Sequence, residues 1–222
     1  MTLKYIICVG LVKREYTHAD VHSVDFFRKF GFFCERRFLD DRALRGLLTQ
    51  FHQALPEPAR VFDGGPDAVV DMAVRHTWQV PVSEVAADVN GRIGALRDDL
   101  ARHFGVPLGD HEGATVLMYP TGGFYETHAD RATDTERKIL ASQRRVSIVV
   151  FLNAMRTPPG PADYTGGALT FYGLLDDPAW RSFGFALEPE PGLLVAFPSH
   201  VIHEVTPVTA GDRYTIVDWF TG

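Results

Sequence analysis

Two histidines and one aspartate are the residues of this sequence with the clearest capacity for chemistry. His128 and Asp130 are separated by a single residue, and His203 follows far along the chain. Successive side chains of an extended strand alternate between faces, so His128 and Asp130 project to the same side and can bind one ion. Together the three residues form a three-cornered metal site, which leaves half of an octahedral coordination sphere open for reaction.

The third ligand must come from a distant strand. His203 follows shortly after the apolar run 193–197, and this pattern predicts two short strands joined by a tight turn. Such a turn can place the second imidazole opposite the first pair. His200 is a competing candidate for the same role, but the context His-x-Val-x-Pro-Val begins at His203 and favours it.

The part of the chain from residue 114 onward is rich in short β-forming segments separated by turn residues. About eight strands of this length predict a β-sandwich or a jelly roll. The predicted strands are 115–119, 124–129, 145–152, 168–172, 183–187, 193–197, 203–208 and 214–220.

The part of the chain before residue 114 contains apolar residues at helical spacing. Asp40 is a suitable N-cap for the second of three predicted helices, and Gly105 is a suitable stop for the third. We expect these helices to cover a sheet, in a mainly β protein with flanking α-helices. The predicted elements are a strand at 3–12 and helices at 20–30, 41–55 and 89–104.

The length of 222 residues is sufficient for one domain with a substantial core. We predict a single domain over 1–222. Within it, residues 1–113 form an N-terminal helical elaboration with sheet extensions. Residues 114–222 form the catalytic β core.

The composition argues against several classes of partner. A net charge of −6 and an isoelectric point near 5.8 give no attraction to nucleic acid or to an anionic membrane surface. Cys8 and Cys34 are too few for a disulfide framework, and no stretch has the pattern of a signal peptide or a membrane span. We therefore expect a cytoplasmic protein that binds neither nucleic acid nor a membrane.

Four sequence elements, in this order, resemble the Fe(II)- and 2-oxoglutarate-dependent dioxygenases, in the branch similar to prolyl 4-hydroxylases. The first matches Tyr-x-x-Gly-x-x-Tyr-x-x-His-x-Asp and runs from Tyr119 to Asp130. The second and third are the segments 144–153 and 166–171, and the fourth runs from His203 to Trp219. The resemblance covers 114–222.

The resemblance implies a double-stranded β-helix, also called a jelly-roll or cupin-like fold, in which His128, Asp130 and His203 bind Fe(II). It also implies that Arg213 pairs with the distal carboxylate of 2-oxoglutarate, with Tyr119 close to this cosubstrate. A guanidinium suits this role because its planar fork of donors matches a carboxylate. Dioxygen is then the second cosubstrate, with ascorbate as an auxiliary reductant.

One position departs from the family pattern. Several relatives have a second tyrosine just before the Leu-Asn pair, where this chain has Phe151. A hydroxyl that could share the distal carboxylate with Arg213 is therefore absent, and another residue must complete the cosubstrate pocket. Thr215 and Ser147 are the candidates that the sequence offers.

The resulting hypothesis is hydroxylation of an unactivated C–H bond, with succinate and CO2 as coproducts. Asp130 argues against halogenation, because halogenating relatives carry a small residue at this position. The expected substrate is proline-like, amino-acid-derived or a peptide, and the segments 131–144 and 154–166 are candidate substrate loops. Three alternatives remain open: desaturation or ring formation on a natural-product intermediate, a non-catalytic metal- or ligand-binding β-barrel that acts as a sensor or scaffold, and a zinc hydrolase.

Overall fold

Two facing antiparallel sheets form the centre of the molecule. A computed structural model describes residues 4–9, 12–17, 20–51, 53–61, 69–81, 84–132 and 140–222. The larger sheet has seven strands, in the spatial order β3 (Phe33–Glu35), β13 (Leu194–Pro198), β9 (Arg144–Phe151), β16 (Arg213–Thr221), β7 (Thr115–Tyr119), β6 (Trp78–Val80) and β4 (Glu57–Pro58). The smaller sheet has five strands, in the order β12 (Phe185–Leu187), β11 (Leu169–Phe171), β14 (His203–Val205), β8 (Phe124–His128) and β5 (Arg75–His76).

Two strand pairs lie outside these sheets. The hairpin of β1 (Lys4–Val9) and β2 (Val12–Thr17) precedes them in the chain, and β10 (Thr165–Gly166) pairs with β15 (Val208–Ala210). All of the described strand pairs are antiparallel. The architecture is a jelly roll, so the predicted mainly β fold class is confirmed.

Alternation of side chains along the strands of the larger sheet separates two apolar layers. On β9, Val149 and Phe151 face inward and pack against residues of the smaller sheet, whereas Ile148 and Val150 face outward toward the helices. Because the period of a strand is two residues, the same sheet serves as the wall of an internal cavity and as the base of a helical layer. β9 is therefore apolar on both faces.

Four α-helices are present in the described part of the chain: α1 (Val24–Lys29), α2 (Asp41–Phe51), α3 (Glu84–Ala95) and α4 (Arg97–Phe104). The Asp40 carboxylate accepts a hydrogen bond of 2.8 Å from the Ala43 N–H and caps α2, as predicted. Gly105 has a left-handed conformation with φ of 66° and ends α4. α2, α3 and α4 contribute buried residues to the outer apolar layer, so they cover the larger sheet.

Several predicted boundaries were wrong. The single helix expected at 89–104 is two helices, because the chain turns at Leu96 between α3 and α4. The segment 20–30 contains a 3-10 turn at Asp20–His22 before Ser23 caps α1. The strand expected at 203–208 is divided into β14 and β15 around Pro207, which has no backbone N–H to donate. None of the described helices is long and apolar enough to cross a membrane.

Candidate metal and cosubstrate site

The smaller sheet brings the three predicted metal ligands together. His128 ends β8, His203 begins β14, and these two residues are direct partners in the antiparallel register. Asp130 follows β8 by two residues, and its two carboxylate oxygens lie 3.6 Å from Nε2 of His128 and 3.6 Å from Nε2 of His203. One ligand atom from each residue lies within 4.8 Å of the others, so all three can reach one ion.

Backbone carbonyls fix the orientation of both imidazoles. His128 Nδ1 lies 2.7 Å from the Glu126 oxygen, and His203 Nδ1 lies 2.9 Å from the Val201 oxygen. A carbonyl oxygen only accepts hydrogen bonds, so each Nδ1 carries the hydrogen and each Nε2 presents its lone pair to the shared centre. This is the tautomer that a metal site requires.

The charge states of the site also suit a metal ion. Burial acts to raise the pKa of Asp130, but His203, His128 and the Ser147 hydroxyl favour its charged form and hold this pKa well below its usual range. Burial lowers the pKa of His203, although the charge of Asp130 opposes this. The three residues therefore present one carboxylate and two imidazoles, the donor set expected for Fe(II).

A stack of side chains supports His128. The Tyr125 ring lies parallel to the His128 ring, with centroids 3.6 Å apart, and the Arg75 guanidinium lies 4.7 Å from the Tyr125 centroid. Burial raises the pKa of Tyr125 to about 12, so its phenol stays protonated at neutral pH. Arg75, on β5, thus borders the metal site.

The larger sheet supplies the predicted anion-binding residue. Arg213 begins β16 and is only 1% exposed, although a guanidinium is always charged. Its Nη1 donates to the Thr215 hydroxyl at 3.4 Å, whereas Nε and Nη2 have no partner among the described residues. The rings of Tyr119 and Phe151 lie 4.8 Å and 5.4 Å from its Cζ atom. A buried cation with two unpaired donors fits a carboxylate ligand.

One cavity contains both the metal ligands and Arg213. It encloses about 730 Å³ of empty space, including its open mouth, and Tyr119, Thr215 and Trp219 also line it. At the mouth, Arg144 donates two hydrogen bonds of 2.6 Å to the Glu112 carboxylate and lies 3.7 Å above the Trp219 ring. The residues present therefore fit both an iron ion and a dicarboxylate in adjacent positions.

The remaining predicted residues have distinct places. Tyr119 and Thr215 both contact Arg213, whereas the Ser147 hydroxyl donates to Ser199 at 2.9 Å and lies beside Asp130. Ser147 is therefore placed at the metal end of the site. His200, the competing ligand, is exposed and outside the metal-binding group. Part of the candidate loop at 131–144, residues 133–139, lies outside the described residues.

Sequence reasoning did not identify two residues that lie next to cavity-lining arginines, Arg144 and Arg213. One is Glu112, which precedes the predicted strands and shows its role only through its pairing with Arg144. The other is Tyr164, a fully buried residue within the candidate loop 154–166. The available signal in the sequence was an aromatic residue within a Pro- and Gly-rich segment, which favours packing of that segment against the core.

Comparisons with known proteins agree with this geometry. Residues 114–221 match the family model described as the 2OG-Fe(II) oxygenase superfamily. A PKHD-type hydroxylase of Synechococcus sp. (strain JA-2-3B'a(2-13)) is 33% identical over 104 residues, which cover 47% of this chain and 40% of that protein. A PKHD-type hydroxylase of Teredinibacter turnerae is 29% identical over 174 residues, which cover 73% of this chain and 68% of that protein. This chain thus matches about two fifths of the length of the Synechococcus relative.

Solved structures resemble the whole arrangement. The crystal structure of a Pseudomonas putida prolyl-4-hydroxylase aligns over 89% of this chain and 96% of that chain, with a TM-score of 0.64 and 26% identity. A Trichoplax adhaerens prolyl hydroxylase, solved with a hypoxia inducible factor peptide fragment, aligns over 89% of this chain and 86% of that chain, with a TM-score of 0.64. At 18% identity, the second comparison supports the fold alone.

Proposed function

Because residues 114–221 belong to the 2OG-Fe(II) oxygenase superfamily, we propose that this protein is an Fe(II)- and 2-oxoglutarate-dependent dioxygenase that hydroxylates an unactivated C–H bond. The observation that carries the proposal is the presence of His128, Asp130, His203 and the buried Arg213 in one cavity. Either half of this site alone would also suit a protein of a different class. A zinc hydrolase or a metal-binding scaffold would leave the buried arginine without a role.

Each residue has a defined task in this proposal. His128, Asp130 and His203 hold iron through one face of its coordination sphere, and Arg213 binds the distal carboxylate of 2-oxoglutarate. Bound iron supplies, with 2-oxoglutarate and dioxygen, an oxidant able to remove hydrogen from an unactivated C–H bond, and succinate and CO2 are the coproducts. The chain contributes orientation and a water-poor wall, built largely from inward-facing residues of the larger sheet.

The substrate that we propose is proline-like, amino-acid-derived or a peptide, with dioxygen as cosubstrate. Two buried donors near the metal ligands, Trp219 Nε1 and Arg75 Nε, have no partner among the described residues, and both side chains line the cavity. Such donors suit the carbonyl oxygens of an amide or a carboxylate. The similarity to the Pseudomonas putida prolyl-4-hydroxylase supports the same choice.

Further parts of the proposal concern the whole chain. We propose that residues 1–222 act as one domain, with residues 114–222 as the catalytic core and residues 1–113 as its helical elaboration. Ascorbate is the proposed auxiliary reductant, and the cytoplasm the proposed location. Desaturation or ring formation on a natural-product intermediate would use the same residues, because Asp130 excludes halogenation but not these oxidations.

Anaerobic titration tests the central claim. Addition of 2-oxoglutarate to the Fe(II)-loaded protein should produce a weak visible charge-transfer absorption, and Asp130→Ala should abolish it. Admission of air should then yield succinate, and mass spectrometry of proline-containing peptides and free amino acids should detect the gain of one oxygen atom. Absence of both the absorption and succinate in the wild-type protein would favour the scaffold or the zinc hydrolase instead.

A further inference from the structure

Tyr164 is a fully buried tyrosine whose hydroxyl has no hydrogen-bond partner among the described residues. A buried hydroxyl without a partner is rare in folded proteins and requires a specific reason, such as a bound ligand. The residue lies in the segment 154–166, outside the motifs that define the metal site. The position of Tyr164 in the fold explains why its hydroxyl has no partner.

Backbone hydrogen bonds fix Tyr164 in place. Its N–H donates to the Ala154 oxygen at 3.0 Å, and its own carbonyl accepts from the Arg156 N–H at 2.9 Å. The Asn153 side chain donates to the oxygens of Ala162 and Asp212, which joins this segment to the start of β16. Tyr164 is therefore held beside the strand that carries the buried arginine.

Gly167 shows how closely the Tyr164 ring approaches Arg213. A Cβ atom at Gly167 would lie 2.9 Å from the Arg213 Cδ atom and 3.5 Å from the Tyr164 Cε2 atom, so both side chains pack against the same glycine. Burial raises the pKa of Tyr164, although the nearby charge of Arg213 opposes this shift. The phenol thus stays protonated near neutral pH and has a hydrogen to donate beside the guanidinium.

Phe151 also lies beside Arg213 and offers no hydroxyl. Phe151 occupies the position where relatives of this type have a tyrosine, and its ring is 5.4 Å from the Arg213 Cζ atom. We propose that Tyr164 binds the distal carboxylate of 2-oxoglutarate together with Arg213 and replaces the hydroxyl that Phe151 lacks. This inference depends on the proposed function, because it assigns a second ligand to the same cosubstrate.

The test is Tyr164→Phe, which removes the hydroxyl and keeps the buried ring. Anaerobic titration of the Fe(II)-loaded protein should show 2-oxoglutarate binding about 10- to 100-fold more weakly, the range expected for one hydrogen bond to a charged group. Binding of 2-oxopentanoate, which has the same keto acid end but no distal carboxylate, should be unchanged. Tyr214→Phe is the matched control, because Tyr214 packs in the outer apolar layer, on the opposite face of β16.

A second variant restores a hydroxyl beside Arg213. In the Tyr164→Phe background, Phe151→Tyr should recover most of the 2-oxoglutarate affinity. An unchanged dissociation constant in Tyr164→Phe, or an equal loss of 2-oxopentanoate binding, would overturn the inference while the wild-type titration still supports the proposed function. Failure of the wild-type protein itself to bind 2-oxoglutarate would instead overturn both.

Discussion

Replacement of Arg213 by methionine separates cosubstrate binding from metal binding. The substitution keeps a side chain of similar length inside the core and removes the guanidinium. The three metal ligands are on the smaller sheet or next to it, whereas Arg213 is on the larger sheet. We therefore expect Arg213→Met to bind Fe(II) as the wild type does and to lose most of its affinity for 2-oxoglutarate.

The size of the loss follows from the burial of Arg213. An exposed ion pair contributes about 0–1 kcal/mol, whereas removal of one partner of a buried, hydrogen-bonded charge pair costs about 2–5 kcal/mol. Arg213 is 1% exposed, so the second range applies. At about 1.4 kcal/mol for each factor of ten, the dissociation constant should rise roughly 30- to 4,000-fold. The dissociation constant of Arg213→Lys should lie between those of the wild type and Arg213→Met, because lysine keeps the charge without the planar fork of donors.

The measurement is anaerobic calorimetric titration of the Fe(II)-loaded protein with 2-oxoglutarate and, in parallel, with 2-oxopentanoate. The difference between the two ligands isolates the contribution of the distal carboxylate, as in a double-mutant cycle. Wild type should prefer 2-oxoglutarate strongly, and Arg213→Met should show little preference. A variant that retains the full preference would refute the assignment of Arg213 as the carboxylate anchor.

Three further substitutions test the support of the site. Glu112→Ala leaves Arg144 without its bidentate partner. Because both side chains are at most 16% exposed, the free energy of unfolding measured in urea should fall by about 3 kcal/mol. A fall below about 1 kcal/mol would mean that solvent screens the ion pair. Gly167→Ala places a Cβ 2.9 Å from the Arg213 Cδ atom, at a backbone φ of +62°. The free energy of unfolding should therefore fall by about 1–3 kcal/mol, and the affinity for 2-oxoglutarate should decrease. An unchanged affinity would show that Arg213 moves freely. Asp218 is a fully buried residue of β16 whose Oδ1 accepts a hydrogen bond of 2.9 Å from the Gly113 N–H. Burial raises its pKa, so the stability that it contributes is present below its unfolded value of about 4 and is lost as the pH rises through the folded value. In urea unfolding, the stability of Asp218→Asn relative to that of the wild type should therefore increase as the pH rises from about 4 to about 7. The opposite trend would contradict a raised pKa of Asp218.

Elements with strong local patterns were predictable from the sequence. The strand at 115–119 matches β7 residue for residue, because a run of β-forming residues is flanked by turn residues on both sides. The helix at 89–104 was predicted as one element, since its apolar spacing continues across Leu96 and no proline marks the break. Strands of two or three residues, such as β4 and β5, have no measurable period and form only because a neighbouring strand offers hydrogen bonds.

The site shows the same division between local and tertiary information. His128 and Asp130 are close in sequence, so their spacing predicts that both side chains project to the same side of an extended strand. Tyr164 has no motif, because its relation to Arg213 arises only when the segment 154–166 folds against β16. The sequence offered Thr215 and Ser147 as replacements for the hydroxyl missing at Phe151, and of these only Thr215 contacts the guanidinium.

The strand β16 joins the stability of the fold to the chemistry of the site. Arg213, Thr215, Val217 and Trp219 face the cavity, whereas Tyr214, Ile216 and Phe220 pack in the outer apolar layer. The outer face is held by apolar burial, at about 1.5–3 kcal/mol for each large side chain. This burial, with the backbone pairing to β7 and β9, fixes the strand. The cavity face can therefore carry a buried cation with unpaired donors, a costly arrangement by itself, because the opposite face of the same strand keeps it in position.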